Sequence, residues 1–141
     1  MGLDMYLHAE KDYYDYLTEQ DPMLDLQKQM INKATGLKDH KLCNVRYQIW
    51  HWRKAYSIHN WFSRSTERDG WLSRGDLEIL LDLCNQVKAD KKLADELLPV
   101  EDGLEYDDDY FNDIQETIEA IDSILKDPTL SGCTFNYSAS W

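Results

Sequence analysis

The residues with the clearest chemical potential are the carboxylates in and after the motif YDDDYFND, residues 106–113. Three consecutive aspartates are followed by two further acids at helical spacing. We expect the five to form one acidic surface: Asp107, Asp108, Asp109, Asp113 and Glu116. Carboxylates repeated along a helix imitate a line of phosphates, so such a surface suits contact with a protein that binds nucleic acid. The alternative interpretation is a solvated face that keeps a small protein soluble.

The same motif does not match a metal site. It lacks the alternating oxygen ligands, the central glycine and the terminal glutamate of a calcium-binding EF-hand loop. Three acids at the start of a helix are already favoured by the positive end of the helix dipole. His51 and His59 lie eight positions apart, whereas histidines that share a metal on one helix are spaced about three or four apart. We therefore expect no metal site and no cofactor.

A second unusual segment is RYQIWHWRKAYSIHNWF, residues 46–62, which is rich in aromatic rings and histidines. On a helical wheel its apolar side chains fall on two opposite faces, separated by a strip that contains Arg46, Arg53 and Arg64. A helix with two apolar faces usually packs between neighbours, so this segment predicts the central helix of the domain. The alternative is a groove that binds a small molecule or nucleotide by stacking and cation–π contact. The residues of that groove are Trp50, Arg53, His59, Trp61 and Arg64.

No segment carries the sequence signature of an enzyme. A G-x-S-x-G nucleophile motif, a phosphate-binding glycine loop and a dinucleotide-binding fingerprint are all missing. We therefore assign no catalytic residue and predict that the protein is not an enzyme.

The charge is distributed unevenly along the chain. The net charge is −12, and residues 94–125 hold twelve acids without a lysine or arginine, so the remainder is balanced. A strongly acidic protein repels a phosphate backbone, which argues against direct binding of nucleic acid. The partner that this charge favours is a basic face of another protein.

The elements that position these residues are predicted to be strands at the two ends and helices between them. Leu3, Met5 and Leu7 alternate with polar residues, and so do the apolar residues of CTFNYSASW, residues 133–141. We expect these two terminal strands to share a small sheet. Caps and apolar stripes predict helices over 23–34, 73–87 and 107–126. The predicted fold is α+β and mainly helical, with four to five helices around the central aromatic-rich helix.

The chain length and composition predict one domain over residues 1–141. No internal repeat or low-complexity linker divides it. No segment has the run of about eighteen apolar residues of a membrane span, and the N-terminus lacks a secretion signal, so we expect a cytoplasmic protein without membrane contact. The sequence assigns no role to residues 9–45 and indicates no oligomeric state.

Four segments together resemble an uncharacterised family of small bacteriophage and prophage proteins. They are GLDMYL near the start, WRKAYSIHNWF at 52–62, ADELLP with EYDDDYFND after it, and FNYSASW at the end. The resemblance implies the cytoplasm of an infected bacterium as the setting, but no particular activity. Together with the concentrated negative charge, it predicts a phage accessory protein that binds and inhibits a host protein. The expected host protein is a nucleic-acid-binding defence effector, and the expected action is anti-CRISPR or anti-restriction inhibition by DNA mimicry.

Overall fold

The computed structural model of the protein describes residues 2–66 and 69–141. Its strands and α-helices, in chain order, are β1 (Asp4–Asp12), α1 (Asp15–Thr18), α2 (Pro22–Thr35), β2 (Asn44–Arg53), α3 (Tyr56–Ser65), β3 (Trp71–Leu72), α4 (Arg74–Ala89), α5 (Ala94–Leu97), α6 (Asp108–Lys126) and β4 (Thr134–Ser140). The predicted α+β, mainly helical class is confirmed. None of the helices in these ranges combines the length and hydropathy that a membrane span requires.

The strands form one antiparallel sheet in the order β2-β1-β4-β3. β1 and β4 lie at its centre and pair from Asp4 opposite Ser140 to Glu10 opposite Thr134. The predicted pairing of the two terminal strands is therefore confirmed. The sheet is larger than predicted because β2 and the two-residue β3 are added at its edges.

One face of the sheet carries the hydrophobic core. Met5, Leu7 and Ala9 of β1 are buried on this face, and Phe62 stacks on Tyr137 of β4 with ring centroids 4.1 Å apart. Helices α3, α4 and α6 contribute further buried apolar side chains, among them Ile58, Leu77, Leu80, Ile114 and Ile121. Removal of these side chains from water is the main driving force that holds the helices on the sheet.

The helix boundaries follow the signals in the sequence. Asp21 caps α2 by accepting hydrogen bonds from two N–H groups of its first turn, and Gly36 ends the helix in the left-handed region at φ 72°. Ser73 and Asp76 form the predicted capping box of α4. Asp107 caps α6. The three helices predicted from caps and apolar stripes are confirmed.

The predicted central helix over 46–62 is wrong. Its first part is the strand β2, and only its last part is helical, in α3. The cause is a β-bulge: Trp50 lies opposite Leu7, but the next pair along the strands is Gln48 with His8, so one residue of β2 is unpaired. The bulge interrupts the alternation of apolar residues, and the resulting mixed spacing resembles a helix with two apolar faces. Aromatic side chains also favour strands.

A buried hydrogen-bond chain joins β2 to α6. The indole Nε1–H of Trp52 donates to Thr117 Oγ1 at 2.9 Å, and the Thr117 hydroxyl donates to the backbone carbonyl of Asp113 at 2.7 Å. Trp52 is 2% exposed and Thr117 is 0% exposed, so water does not substitute for these bonds. The chain therefore fixes the end of β2 against the first turns of α6.

We expect Thr117→Val to destabilise the fold because it leaves the Trp52 indole N–H buried without an acceptor. An unsatisfied buried donor costs about 1–3 kcal/mol, which denaturant unfolding of variant and wild type measures. Adding Trp52→Phe removes donor and acceptor together, so the double variant should lose less than the sum of the single changes. Additive losses would show that this hydrogen bond does not couple the two elements.

Candidate functional site

A cleft of about 520 Å³ lies where the end of β2 and the start of α3 meet the first turns of α6. Its basic wall consists of Arg53, Lys54, Tyr56 and Ser57. Its acidic wall consists of Glu105, Asp107, Asp109, Asp113 and Glu116. A cavity of this volume falls within the range of small-molecule sites. The segments WRKAYSIHNWF and EYDDDYFND, which lie about fifty residues apart in the chain, thus meet at one place.

The backbone turns sharply at Lys54, between β2 and α3. The φ of Lys54 is 57°. Among the described residues other than glycine, Lys54 alone has a positive φ. This left-handed conformation costs about 1–2 kcal/mol for a residue with a Cβ. The Lys54 N–H donates to the Leu3 carbonyl at 2.8 Å, and the Lys54 carbonyl accepts from the Tyr56 N–H at 3.0 Å. These bonds hold the turn, and with it Arg53 and Lys54, beside the cleft.

The first turn of α3 has no side-chain cap. Ala55 at the N-cap has no side chain that accepts a hydrogen bond, so apart from the Tyr56 N–H, which donates to the Lys54 carbonyl, the first N–H groups of the helix lack a cap. Ser57, in the same turn, is 2% exposed, and its hydroxyl has no hydrogen-bond partner among the described residues. These donors, together with the positive end of the helix dipole, make this part of the basic wall attractive to an anion.

Asp113 is a half-buried acid of the acidic wall. Burial raises the pKa of Asp113 to about 7, with further contributions from the negative charges of Glu116, Asp109 and Asp107. The Asp113 carboxyl is therefore close to half protonated at neutral pH. A cation in the cleft favours its charged form and lowers its pKa.

The two walls of the cleft do not neutralise each other. In the part of the chain that the structure describes, the ion pairs within 4.0 Å are Lys28–Asp15, Lys41–Asp15, Arg46–Glu10, His51–Asp4, Arg74–Glu78 and Lys126–Asp122. Arg53 and Lys54 thus share the cleft with five carboxylates but form an ion pair with none of them. Both sets of charges remain available to a ligand or a partner.

The segment before α6 fixes the acidic wall in place. The Tyr110 hydroxyl donates to the Leu98 carbonyl at 2.8 Å, and the Tyr106 hydroxyl donates to Asp95 Oδ1 at 2.8 Å. These bonds tie α5 and the loop after it to the start of α6. Val100, Leu104 and Glu105 of that loop also line the cleft, as do Tyr110 and Asn112 of α6.

The five residues of the predicted aromatic groove are divided between two elements. Trp50 and Arg53 belong to β2. Trp50 packs edge-on against Trp52, with ring centroids 6.4 Å apart, on the side of the sheet that carries the core. Arg53 is the one residue of the predicted groove that lines the cleft described above.

His59, Trp61 and Arg64 belong to α3. The Tyr137 hydroxyl lies 2.6 Å from His59 Nδ1, and burial lowers the pKa of His59, so its neutral ring accepts a hydrogen bond from the hydroxyl. Trp61 packs against Phe62 with ring centroids 5.2 Å apart, and Arg64 is exposed in the last turn. The structure therefore does not bring the five residues together on one helix face.

The five acids of the predicted acidic surface lie together around the start of α6. Asp107 is the N-cap, and Asp108 and Asp109 are exposed in the first turn. Four of the five line the cleft, and Asp108 lies outside it. Lys54 and Ser57 are not among the residues predicted to lie near these acids, because they meet the acids only through the packing of β2 and α3 on α6. No spacing in the sequence signals that meeting.

We expect Asp113→Asn to stabilise the protein above pH 7 but not near pH 4. Because the pKa of Asp113 is raised on folding, the folded protein keeps a proton that the unfolded chain releases, and stability falls as pH rises from about 4 to about 7. Asparagine removes that loss. Solvent screening at this partly exposed site limits the gain, so we expect a melting temperature about 2–4 °C higher at about pH 8.

Calorimetry across that pH range measures the effect of Asp113→Asn. Asp108→Asn, at an exposed position of the same helix, is the matched control. Equal gains for both variants would contradict the role of burial at Asp113.

Comparisons with known proteins return no match: no protein-family model fits the chain, and neither curated proteins nor solved structures resemble it significantly. The cleft and the acidic surface are therefore the basis for a function.

Proposed function

We propose that the protein is a bacteriophage accessory protein that binds a basic face of a host protein through its acidic surface and inhibits that protein. The acidic surface consists of Asp107, Asp108, Asp109, Asp113 and Glu116. The setting is the cytoplasm of the infected bacterium. The partner is a nucleic-acid-binding defence effector of the CRISPR or restriction type, whose nucleic-acid channel is rich in lysine and arginine. The acidic surface occupies that channel in place of nucleic acid.

One observation carries the proposal: the carboxylates of the acidic surface have no basic partner. No ion pair within 4.0 Å joins them to a lysine or arginine of the described residues, although the chain holds fifteen such residues. Their mutual repulsion contributes to the raised pKa of Asp113. A basic partner relieves this repulsion, and the concentrated charge also accelerates encounter with it.

The geometry of α6 supports an imitation of nucleic acid. With a rise of about 1.5 Å per residue, Asp109, Asp113 and Glu116 are separated by about 6 Å and about 4.5 Å along the helix axis. Their spacing of four and three residues places them on one side of the helix. A helix packed on the core presents this row of charges rigidly, so its binding to a fixed row of basic side chains carries a small entropic cost.

Charge reversal tests the proposal. We expect the combined variant Asp108→Lys, Asp109→Lys and Glu116→Lys to weaken binding to the host partner by about 100-fold or more, because opposite charges across the interface become like charges. The three side chains are exposed, so the fold should survive. The partner is captured from infected cells, and its affinity for the purified protein is then measured with and without competing nucleic acid.

The matched control reverses three exposed acids outside the acidic surface: Glu19, Glu78 and Asp82. It changes the net charge equally and should leave the affinity and the host phenotype nearly unchanged. If the first variant is folded and still binds and inhibits like wild type, the acidic surface is not the binding surface. An equal loss in both variants would show that only net charge matters.

The cleft supports a second candidate function, binding of a small molecule or nucleotide. The supporting observation is a cavity of about 520 Å³ with opposite charges on its two walls. Arg53 is the residue that this candidate retains from the groove predicted from the sequence.

We expect ligands of the cleft to raise the melting temperature in a thermal-shift screen with nucleotides and signalling nucleotides at millimolar concentration. At ten times the dissociation constant the gain is about 1.4 kcal/mol, or about 5 °C for a protein of this size. Arg53→Ala should reduce the shift, whereas Arg64→Ala, on an exposed arginine outside the cleft, should not. The absence of any shift would remove nucleotides from this candidate.

A further inference from the structure

The cleft carries opposite charges on its two walls, and this arrangement defines a class of ligand. An anion alone meets five carboxylates of the acidic wall, and a cation alone meets Arg53 and Lys54. Only a molecule with both charges is attracted by both walls. We propose that the cleft binds a small zwitterion, with its phosphate or carboxylate group at the basic wall and its ammonium group at the acidic wall. This inference rests on the second candidate function, small-molecule binding, and narrows it.

The anionic end of the ligand belongs at the first turn of α3. That turn presents N–H groups without a capping side chain, because Ala55 is the N-cap. Arg53 and Lys54 stand directly before it and line the same cleft. Backbone N–H groups, a helix dipole and two cations are the groups that bind phosphate and carboxylate in proteins.

Ser57 is the independent observation that points to a ligand here. Ser57 lines the cleft and is 2% exposed, and its hydroxyl has no partner among the described residues. Buried hydroxyls are almost always hydrogen-bonded in folded proteins. We assign the missing partner to an acceptor oxygen of the ligand bound at the start of α3.

The backbone at Lys54 agrees with this assignment. A glycine fits the left-handed conformation at φ 57° without strain, yet a lysine is found there. Strained residues of this kind are concentrated at binding sites, where the side chain has a purpose beyond stability. At Lys54 that purpose is a positive charge at the entrance to the first turn of α3.

The cationic end of the ligand belongs at the acidic wall. Asp109, Asp113 and Glu116 follow one another over two turns of α6, so their carboxylates are spread along the helix rather than gathered at a point. A metal ion requires oxygens that converge within about 2.0–2.6 Å, and within residues 2–66 and 69–141 no three metal-binding side chains are grouped in that way. An ammonium group donates three hydrogen bonds in different directions, which suits spread carboxylates.

Binding of the ammonium group should depend on the protonation of Asp113. The charged groups that share the cleft with Asp113 are Arg53 and Lys54 beside β2, Glu105 in the loop before α6, and Asp107, Asp109 and Glu116 around and within α6. A ligand cation favours the ionised carboxyl, so the zwitterion should bind more tightly as pH rises through the pKa of Asp113, about 7. Asp113→Asn removes this dependence.

Three related probes test the inference. Phosphoethanolamine carries both charges, ethyl phosphate carries only the anionic group, and ethanolamine carries only the ammonium group. Titration of the isotope-labelled protein, followed by amide NMR, gives both the affinity and the place of binding. We expect phosphoethanolamine at up to about 10 mM to saturate a single site, with shifts at the start of α3 and at the start of α6, and to bind at least about tenfold more tightly than either half.

Variants assign the two ends of the ligand. Ser57→Ala and Lys54→Gly should each weaken phosphoethanolamine about five- to tenfold, and Lys54→Gly keeps the fold because glycine suits that backbone conformation. Ser63→Ala on the exposed side of α3 and Lys38→Gly in an exposed turn are the matched controls. Glu116→Gln should weaken the binding of phosphoethanolamine but not that of ethyl phosphate. The affinity of ethyl phosphate, measured between about pH 6 and pH 8, also corrects for titration of the phosphate group itself.

The results distinguish zwitterion binding from small-molecule binding in general and from binding of a protein partner. The proposal of a zwitterion would be overturned by equal affinity for ethyl phosphate and phosphoethanolamine. It would also be overturned by amide shifts confined to one wall of the cleft. Saturable binding of a nucleotide in the cleft without binding of phosphoethanolamine would overturn the zwitterion and leave small-molecule binding intact. Asp108→Lys, outside the cleft, should leave the affinity for phosphoethanolamine unchanged but weaken the binding of a protein partner. A loss of both affinities would therefore contradict the position of Asp108 outside the ligand site.

Discussion

The hydrogen bond from the Trp52 indole to Thr117 is the contact on which the rest of the site depends. It is fully buried, it joins an edge strand to the longest helix, and it continues to the Asp113 carbonyl. Because an unmade buried bond is unfavourable, the end of β2 cannot move far from α6. The next residues after Trp52 are Arg53 and Lys54, so the same bond sets the width of the cleft between them and the acids of α6.

Separation of charge is the second constraint. Arg53 and Lys54 share a cleft with Asp109, Asp113 and Glu116, but none of these carboxylates pairs with either cation. Direct ion pairs would lower the energy of the empty site. Their absence among the described residues leaves an electric field across the cleft and a row of negative charges along its acidic wall. The proposed partner and the proposed zwitterion both use this row of charges.

The acidic surface and the cleft differ in how far the sequence predicts them. The five acids are neighbours on one helix, so their spacing alone places them together. The cleft combines Lys54 and Ser57 with Asp113, whose separations in the chain span several elements. A serine on an otherwise apolar side of a helix gives no signal of a binding site. Ser57 can be recognised as a candidate binding residue only from the structure, in which its hydroxyl is buried beside unpaired charges.

Two neighbouring regions show why local signals succeed in one place and fail in another. Helix α2 contains no buried residue, yet it was predicted, because its cap at Asp21 and its end at Gly36 act within single turns. The segment 46–53 has a strong apolar pattern, yet it was misassigned. Its state depends on hydrogen bonds to β1 and on a bulge that hides the strand period.

The sequence by itself determined the ends of the main helices, the alternation of the terminal strands and the grouping of the acids on α6. These features depend on interactions within a few residues, which are encoded locally. Only the tertiary structure decided that the aromatic segment is a strand followed by a helix, and that Arg53, Lys54 and Ser57 meet the acids across a cleft. The strand needed β1 as a partner for its backbone groups, and the cleft needed the buried bond between Trp52 and Thr117. Both are contacts between distant parts of the chain, and no local periodicity specifies them.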